Sequence, residues 1–230
     1  MSFHHSPKIV TENLKVYLDI SNPKSYPQSG TSIVDLSGNG YTGTIGGGAS
    51  FDSSGVGSIN LDGSDDYIVV GPVPLTGIQT SNTTWAVWVY PSSANGNIVS
   101  ISSLSPQGGW NMPPIAASSQ YFRGKIWSNN YLLSSSTFTL NKWYYVVLTY
   151  SYTNLTEKLY INGVLEDSDF ANYASSTVDN YHFLGQQNPG ADNTGMFTGK
   201  IGSFQIYTDK ELTENEILTN YNAMKSKYGY

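Results

Sequence analysis

The chain has 230 residues, of which 39% are hydrophobic and only 12% charged, with a formal net charge of −6 and no cysteine. This charged share is about half the usual one, and with 23 glycines and 18 tyrosines it is typical of strands joined by many turns and excludes an all-helical protein. The absence of cysteine excludes disulfides and Cys-ligated zinc, and with only 11 lysines and arginines and no basic stripe we expect neither nucleic acid nor an anionic membrane as a partner.

The N-terminal part of the chain combines a polar start with a first strand. Residues 1–13 contain Pro7 and show no hydrophobic period, so we predict an N-terminal arm at 1–13 followed by a single domain at 14–230. No segment has the apolar run of a signal peptide or a membrane span, and we expect neither. Residues 14–20 alternate between apolar and polar side chains, which predicts a half-buried strand. Residues 21–50 are rich in turn-forming residues and predict irregular structure.

Short strand patterns at roughly even spacing follow, as is typical of a β-sandwich. The predicted strands are 58–61, 67–70, 84–90, 97–102, 121–126, 131–133, 142–150, 157–161, 181–184 and 200–207. Both faces of the strand 84–90 are apolar, so it is predicted to be central. The strand 142–150 is predicted to pair with 157–161, after which Asn162-Gly163 is a strong hairpin signal.

One helix is predicted at about 213–226. Thr213 and Glu216 form a capping box, in which each side chain satisfies a free backbone N–H at the helix start. The apolar stripe of this helix consists of Ile217, Leu218, Tyr221 and Met224. The sequence therefore predicts one all-β domain with a short C-terminal helix.

Four segments together resemble the laminin-G-like group of concanavalin A-type jelly rolls. They are INLDGSDDYI at 59–68, TWAVWVYP at 84–91, WYYVVLTY with KLYING between 143 and 163, and FTGKI, FQIY and LTENEI between 197 and 217. The resemblance implies a two-sheet antiparallel jelly-roll β-sandwich. A shared fold alone does not establish a function.

The flanking segments are similar to those of laminin-G-like structural proteins of tailed phages. They are HHSPKIV at 4–10, LDISNPKSYP at 18–27, DLSGNG at 35–40 and NYNAMK at 220–225. This resemblance implies a virion component, either a capsid-surface decoration or a tail accessory, made in the host cytoplasm and located at the virion surface. Its partners would be other virion proteins, the arm could reach a neighbouring subunit, and a homo-oligomer would suit the symmetry of a virion.

Catalysis is not predicted. The chain lacks the E-x-D-x-x-E motif of jelly-roll glucanases, and its nearest acidic cluster is Glu166, Asp167 and Asp169. The alternative for this cluster is a solvated strand end, because acidic residues are mostly exposed. We therefore predict no catalytic residue, and a glycoside hydrolase is the least favoured function.

Calcium is the one ion that the sequence suggests, and no cofactor is required. In the loop 35–40, Asp35 and Asn39 offer oxygen ligands of the kind that calcium prefers. Related domains often bring an acidic pair to such an ion from their last strand, and here Gly202 and Ser203 replace it. The alternative is that Asp35 and Asn39 stabilise their own turns through Asx hydrogen bonds.

Glycan binding is the ligand-binding function considered, because sugars are held by flat aromatic faces together with amides and carboxylates. The candidate residues lie in loops and are Trp110, Asn111, Trp127, Asn129 and Asp192. The alternative is that the loop tryptophans cap the core, to which Trp85, Trp88 and Trp143 are assigned. We thus expect a non-enzymatic phage virion protein that can bind host-surface glycans, with a lectin-like adhesin module not tied to a virion as the alternative.

Overall fold

The computed structural model describes residues 8–73, 81–102, 112–126, 130–171, 181–186 and 195–230. Its strands are β1 (Leu14–Asp19), β2 (Ser32–Val34), β3 (Thr42–Gly46), β4 (Ser50–Asp52), β5 (Ser58–Asp62), β6 (Tyr67–Val70), β7 (Thr83–Pro91), β8 (Gly96–Ser102), β9 (Met112–Ser118), β10 (Tyr121–Gly124), β11 (Leu132–Leu133), β12 (Tyr144–Ser151), β13 (Thr156–Ile161), β14 (Val164–Phe170), β15 (Tyr181–Leu184) and β16 (Thr198–Thr208). The helix α1 (Glu214–Met224) continues into a short 3-10 helix (Lys225–Tyr228).

The strands form two eight-stranded antiparallel sheets. Sheet 1 has the order β14-β13-β12-β7-β16-β5-β4, with β1 also paired to the long strand β16. Sheet 2 has the order β11-β10-β9-β8-β15-β6-β3-β2. The predicted all-β sandwich with one short C-terminal helix is confirmed.

Sheet 1 is covered by apolar side chains on both faces. Trp85, Val87 and Val89 of β7 point into the main core between the two sheets. Ala86 and Trp88 point to the opposite face, where they join a second core under the C-terminal helices. This alternation confirms the prediction that the strand 84–90 is central, since β7 lies between β12 and β16.

Local signals located the helix and one hairpin correctly. The Thr213 hydroxyl accepts from the Glu216 N–H, and the Glu216 carboxylate accepts from the Thr213 N–H, so the predicted capping box is present. β12 pairs with β13 as predicted, and Asn162-Gly163 turns the chain from β13 into β14. Both turn residues have positive φ angles, as a tight hairpin turn requires.

The predicted apolar stripe of α1 is wrong at one position. Leu218 is 42% exposed, whereas Asn220 is fully buried beside Ile217 and Met224. Burial of the Asn220 amide is possible because its oxygen accepts from the backbone N–H of Val10 and its nitrogen donates to the Tyr207 hydroxyl. A polar residue outside the predicted stripe is therefore part of the core.

Residues 8–13, here called the strap, lie against the sandwich. Ile9 and Val10 pack on the second core, and the Val10 carbonyl accepts from the Tyr207 hydroxyl at 2.9 Å. Glu12 forms an ion pair with Lys210 at 2.7 Å. This part of the predicted arm is thus held by its own domain.

The main errors of the strand prediction lie in short or polar strands. β2, β3 and the start of β4 fall within residues 21–50, which were predicted to be irregular, and β9 and β14 are absent from the predicted strands. Of the helices in the described ranges, none combines the length and the apolar composition needed to cross a membrane.

Candidate functional site

An open cleft lined by aromatic rings lies where the end of β7 meets the turn before β12 and the C-terminal segment. Its volume is about 390 Å³. We call it the aromatic cleft; the side chains that line it are Tyr90, Asn141, Lys142, Trp143, Tyr228 and Tyr230.

The rings of the cleft are built on the second core. Tyr228 is buried and stacks on Trp88, with ring centroids 4.1 Å apart and planes inclined by 10°. Trp143 packs against Tyr228 at 4.8 Å, and Tyr90 packs against Trp143 at 5.4 Å with an inclination of 58°. The inclined rings form two walls over a rigid base, because the base ring is itself held by a fully buried tryptophan.

Trp143 differs from the other two tryptophans that were assigned to the core. Trp85 and Trp88 are fully buried, as predicted. Trp143 packs against the second core but is only partly buried, and it lines the cleft. The strand pattern of 142–150 places Trp143 on an apolar face, but it cannot indicate that this face ends at a cleft.

Polar groups surround these rings. Asn141 and Lys142 are exposed, and Asn141 has a left-handed φ of 60° that is fixed in part by the bond from its N–H to the Pro91 carbonyl. Tyr230 is 48% exposed, and its hydroxyl donates to the Trp143 carbonyl and accepts from the Asn162 amide. Burial raises the pKa of the Tyr230 hydroxyl. The cleft thus offers uncharged ring faces beside an amide and an ammonium group.

The loop residues predicted to bind glycan lie outside the described residues. These are Trp110, Asn111, Trp127, Asn129 and Asp192. The prediction for them stays untested. No local signal could have found the aromatic cleft, because residues 90, 141–143 and 228–230 are brought together only by the sheet and the C-terminal segment.

Asp35 and Asn39 bind the first strand through hydrogen bonds. The Asp35 carboxylate accepts from the Tyr17 N–H and the Ser37 N–H, both at 2.8 Å, and from the Ser37 hydroxyl at 2.6 Å. The Asn39 amide nitrogen donates to the carbonyls of Leu14 and Lys15. Only the bond from the Ser37 N–H to Asp35 is an Asx contact, and the bonds to the backbone of β1 hold the loop against that strand. Ligation of calcium by the two side chains stays a prediction.

A second acidic group closes the turn between β5 and β6. Carboxylate oxygens of Asp62, Asp65 and Asp66 lie within 4.8 Å of one another, the one grouping of this kind in the described part of the chain. The buried Asp66 carboxylate also accepts from the Asp62 N–H at 2.9 Å. Burial raises the pKa of Asp66, and the charges of Asp62 and Asp65 raise it further. Three carboxylates at this distance could hold a hard cation, and the same hydrogen bonds also shape the turn.

The acidic residues near the hairpin accept hydrogen bonds from backbone N–H groups. The Asp167 carboxylate accepts from the Leu133 N–H, and the Glu166 carboxylate accepts from the Ser135 N–H, both at 2.9 Å. Asp169 accepts from the adjacent Phe170 N–H. The bonds of Asp167 and Glu166 tie the edge strand β14 to the segment around β11, which fits a structural role better than a pair of catalytic carboxylates.

The comparisons with known proteins agree with this architecture. A family model described as the concanavalin A-like lectin/glucanases superfamily matches residues 62–218. A search of the curated proteins gives no match.

Many solved structures share the fold. The binding domain of paraclostridial mosquitocidal protein 1 has a TM-score of 0.67 and 19% identity, over 93% of this chain and 52% of that chain. The receptor binding domain of botulinum neurotoxin D has a TM-score of 0.63 and 18% identity, over 93% and 53%. The botulinum neurotoxin serotype D ligand binding domain in complex with N-acetylneuraminic acid has a TM-score of 0.63 and 19% identity, over 92% and 51%. The chain thus spans about half the length of the structures that it matches, and at these identities the likeness concerns the fold alone.

Proposed function

Because the chain belongs to the concanavalin A-like lectin/glucanases superfamily, we propose that it is a non-enzymatic carbohydrate-binding module whose aromatic cleft holds a sugar. The observation that carries this proposal is the partly exposed Trp143, set against Tyr90 beside the exposed Asn141 and Lys142. A flat ring covers the apolar face of a sugar, while amide and ammonium groups bond its hydroxyls. The cleft volume of about 390 Å³ falls in the range of small-ligand sites.

The glycan ligand of a related fold supports the same class of ligand. The serotype D neurotoxin domain was solved with N-acetylneuraminic acid. Lys142 would offer this chain an ammonium group for an acidic sugar of that type. Its exposure makes it a rim contact that adjusts affinity rather than creating it.

The loop residues form a separate part of the proposal. Trp110 and Asn111 precede β9, Trp127 and Asn129 lie between β10 and β11, and Asp192 lies between β15 and β16. All of these strands except β16 belong to sheet 2, whereas the aromatic cleft is built on sheet 1. We therefore treat these loops as a second candidate glycan site that mutations can separate from the first.

At the level of the particle, we propose a virion role. The flanking segments that resemble tailed-phage structural proteins support a capsid-surface decoration or a tail accessory that also contacts host glycans. The alternative is a lectin-like adhesin module that is not tied to a virion. Immunogold labelling of purified particles with an antibody against this chain would detect a virion component, and particles that stay unlabelled would favour the alternative.

A glycan array tests the carbohydrate proposal. It uses the full chain and is run in parallel with calcium and with chelator. We expect saturable binding that Asn141→Gly and Trp143→Ala each weaken by about tenfold or more. Tyr152→Ala removes an exposed aromatic ring outside the cleft and should have no effect. Binding that depends on Trp110 but not on Trp143 would move the site to the loops, and a blank array would overturn carbohydrate binding.

Asn141→Gly and Lys142→Ala keep the test valid if Trp143→Ala weakens the fold, because glycine tolerates the left-handed φ at position 141. Both positions are exposed, so neither substitution opens a cavity in the core. Turnover of a polysaccharide that vanishes in Asp167→Asn or Asp169→Asn would instead support the hydrolase, the least favoured alternative.

A further inference from the structure

A second cavity, lined in part by residues of the C-terminal helices, has a volume of about 460 Å³. The strap forms one wall through Lys8 and Ile9, β1 forms the floor through Leu14 and Asp19, and Met224 and Lys227 close the far side. We call it the strap pocket. None of the residues predicted to bind sugar or calcium lines it.

The polar end of the strap pocket presents ammonium groups rather than a free carboxylate. Asp19 is only 4% exposed, and its two oxygens accept from Lys227 at 2.9 and 2.8 Å. The same carboxylate also accepts from the hydroxyls of Tyr17 at 3.1 Å and Ser21 at 2.9 Å. The lone pairs of Asp19 are thereby used, whereas the Lys227 side chain keeps a third N–H and is 31% exposed.

The charge of the strap pocket is opposite in sign to the net charge of the whole chain. The protein carries a formal net charge of −6, yet Lys8 and Lys227 face the pocket with only Asp19 to offset them. The remaining walls are largely apolar, through Ile9, Leu14 and the methionine at 224. A ligand that fits both the lysine end and the apolar walls has an anionic head and an apolar body.

We propose that the strap pocket binds a small amphipathic carboxylate, with the carboxylate against Lys227 and Lys8 and the apolar body between Ile9, Leu14 and Met224. Such a ligand would contact the strap and the body of the domain together. Its binding would therefore stabilise the docked strap, because a ligand favours the state to which it binds. This proposal does not depend on glycan binding at the aromatic cleft.

The test uses the full chain and two probes with the same apolar body, octanoate and 1-octanol, in calorimetric titrations at pH 7. We expect saturable one-to-one binding of octanoate and at least about tenfold weaker binding of octanol, because only octanoate can pair with the two lysines. Absence of octanoate binding, or equal affinity for the two probes, would overturn the proposal.

Three variants place the binding in the pocket. Ala223→Phe adds a ring to the lining, and Lys8→Glu reverses the charge of an exposed wall residue. Each should weaken octanoate binding by about tenfold or more, whereas Lys24→Glu, an exposed lysine outside the lining, should leave it unchanged. Lys8→Glu keeps the test decisive if Ala223→Phe fails to fold. Octanoate binding that both pocket variants leave intact would place the ligand elsewhere and overturn the assignment.

Hydrogen exchange gives an independent readout. The Val10 N–H is bonded to Asn220 only while the strap is docked. Octanoate should slow its exchange in the wild type and in Lys24→Glu but not in Lys8→Glu. Unchanged exchange at saturating octanoate would contradict a ligand that contacts the strap.

Discussion

The backbone N–H of Val10 donates to the side-chain oxygen of Asn220 at 2.7 Å, although 210 positions separate the two residues. The Asn220 nitrogen donates to the Tyr207 hydroxyl, which in turn donates to the Val10 carbonyl. Both polar groups of one strap residue are therefore held by two fully buried side chains. This closed arrangement fixes the strap over the second core and thereby forms one wall of the strap pocket.

Replacing Asn220 by leucine tests this arrangement. Asn220→Leu keeps similar bulk but leaves the Val10 N–H without its acceptor, which should lower the free energy of unfolding by about 1–3 kcal/mol. Urea denaturation measures the loss, and proteolysis within residues 8–13 should become faster. Asn215→Leu, at an exposed position of the same helix, should change stability by less than about 0.5 kcal/mol. Equal effects of the two substitutions would show that the Val10 contact contributes nothing.

The ion pair between Asp19 and Lys227 should matter far more than the one between Glu12 and Lys210. Asp19 is nearly buried, so Lys227→Ala would leave a buried carboxylate without its cation, a change that costs about 3–5 kcal/mol in buried pairs. Glu12 is 73% exposed, and Glu12→Ala should cost less than about 1 kcal/mol. Thermal and urea unfolding of both variants check the order. A small loss of stability in Lys227→Ala would mean that the hydrogen bonds from the Tyr17 and Ser21 hydroxyls suffice to stabilise the buried Asp19 carboxylate.

Some of this architecture follows from sequence patterns, because their causes are local. The alternation Trp85, Val87, Val89 against Ala86, Trp88 requires apolar surroundings on both faces of one strand, and the two cores provide them. The capping box depends on residues only three positions apart. Such signals work because a strand repeats every two residues and a cap is completed within one turn.

Other features depend on partners that no local pattern shows. Asn220 is polar, and its burial becomes understandable only when Val10 and Tyr207 are beside it. The short strands β2 and β3 are too brief for a clear alternation, and β14 carries three acidic residues on an edge. The aromatic cleft joins three distant segments, so its place could not be read from any one of them.

The pH dependence of stability has a defined component at Asp52. Its hydrogen bond and ion pair with Lys200 lower its pKa from 3.8 to about 2. The folded state holds the proton of Asp52 less tightly than the unfolded state. The contribution of Asp52 to the free energy of unfolding is therefore fully present above about pH 4 and is lost as the pH falls toward 2. An NMR titration of the Asp52 carboxyl in the wild type and in Lys200→Met checks it. The pKa should rise toward 3.8 in Lys200→Met, and a pKa that stays near 2 would assign the shift to the Ser54 contacts instead.

Calcium ligation by the loop 35–40 can be separated from turn formation. Asp35 is buried and accepts three hydrogen bonds, two of them from backbone N–H groups. Asp35→Ala should therefore lower stability by about 1–3 kcal/mol in chelator and in calcium alike. The control is Asp65→Ala, which removes an exposed carboxylate of the acidic group between β5 and β6. A loss in Asp35→Ala that occurs only with calcium would instead support the ion predicted from the sequence.

Gly202 stands where related domains were expected to carry an acidic residue, and Tyr228 explains the glycine. A Cβ atom at position 202 would lie 2.6 Å from the Tyr228 ring, closer than real contacts allow. Gly202→Ala should therefore push Tyr228 off Trp88, disturb the base of the aromatic cleft and cost about 1–3 kcal/mol of stability. A double-mutant cycle with Tyr228→Ala isolates this contact, because Gly202→Ala should cost little stability once the Tyr228 ring is absent. If the cost of Gly202→Ala is the same in both backgrounds, backbone conformation rather than the Tyr228 ring requires the glycine.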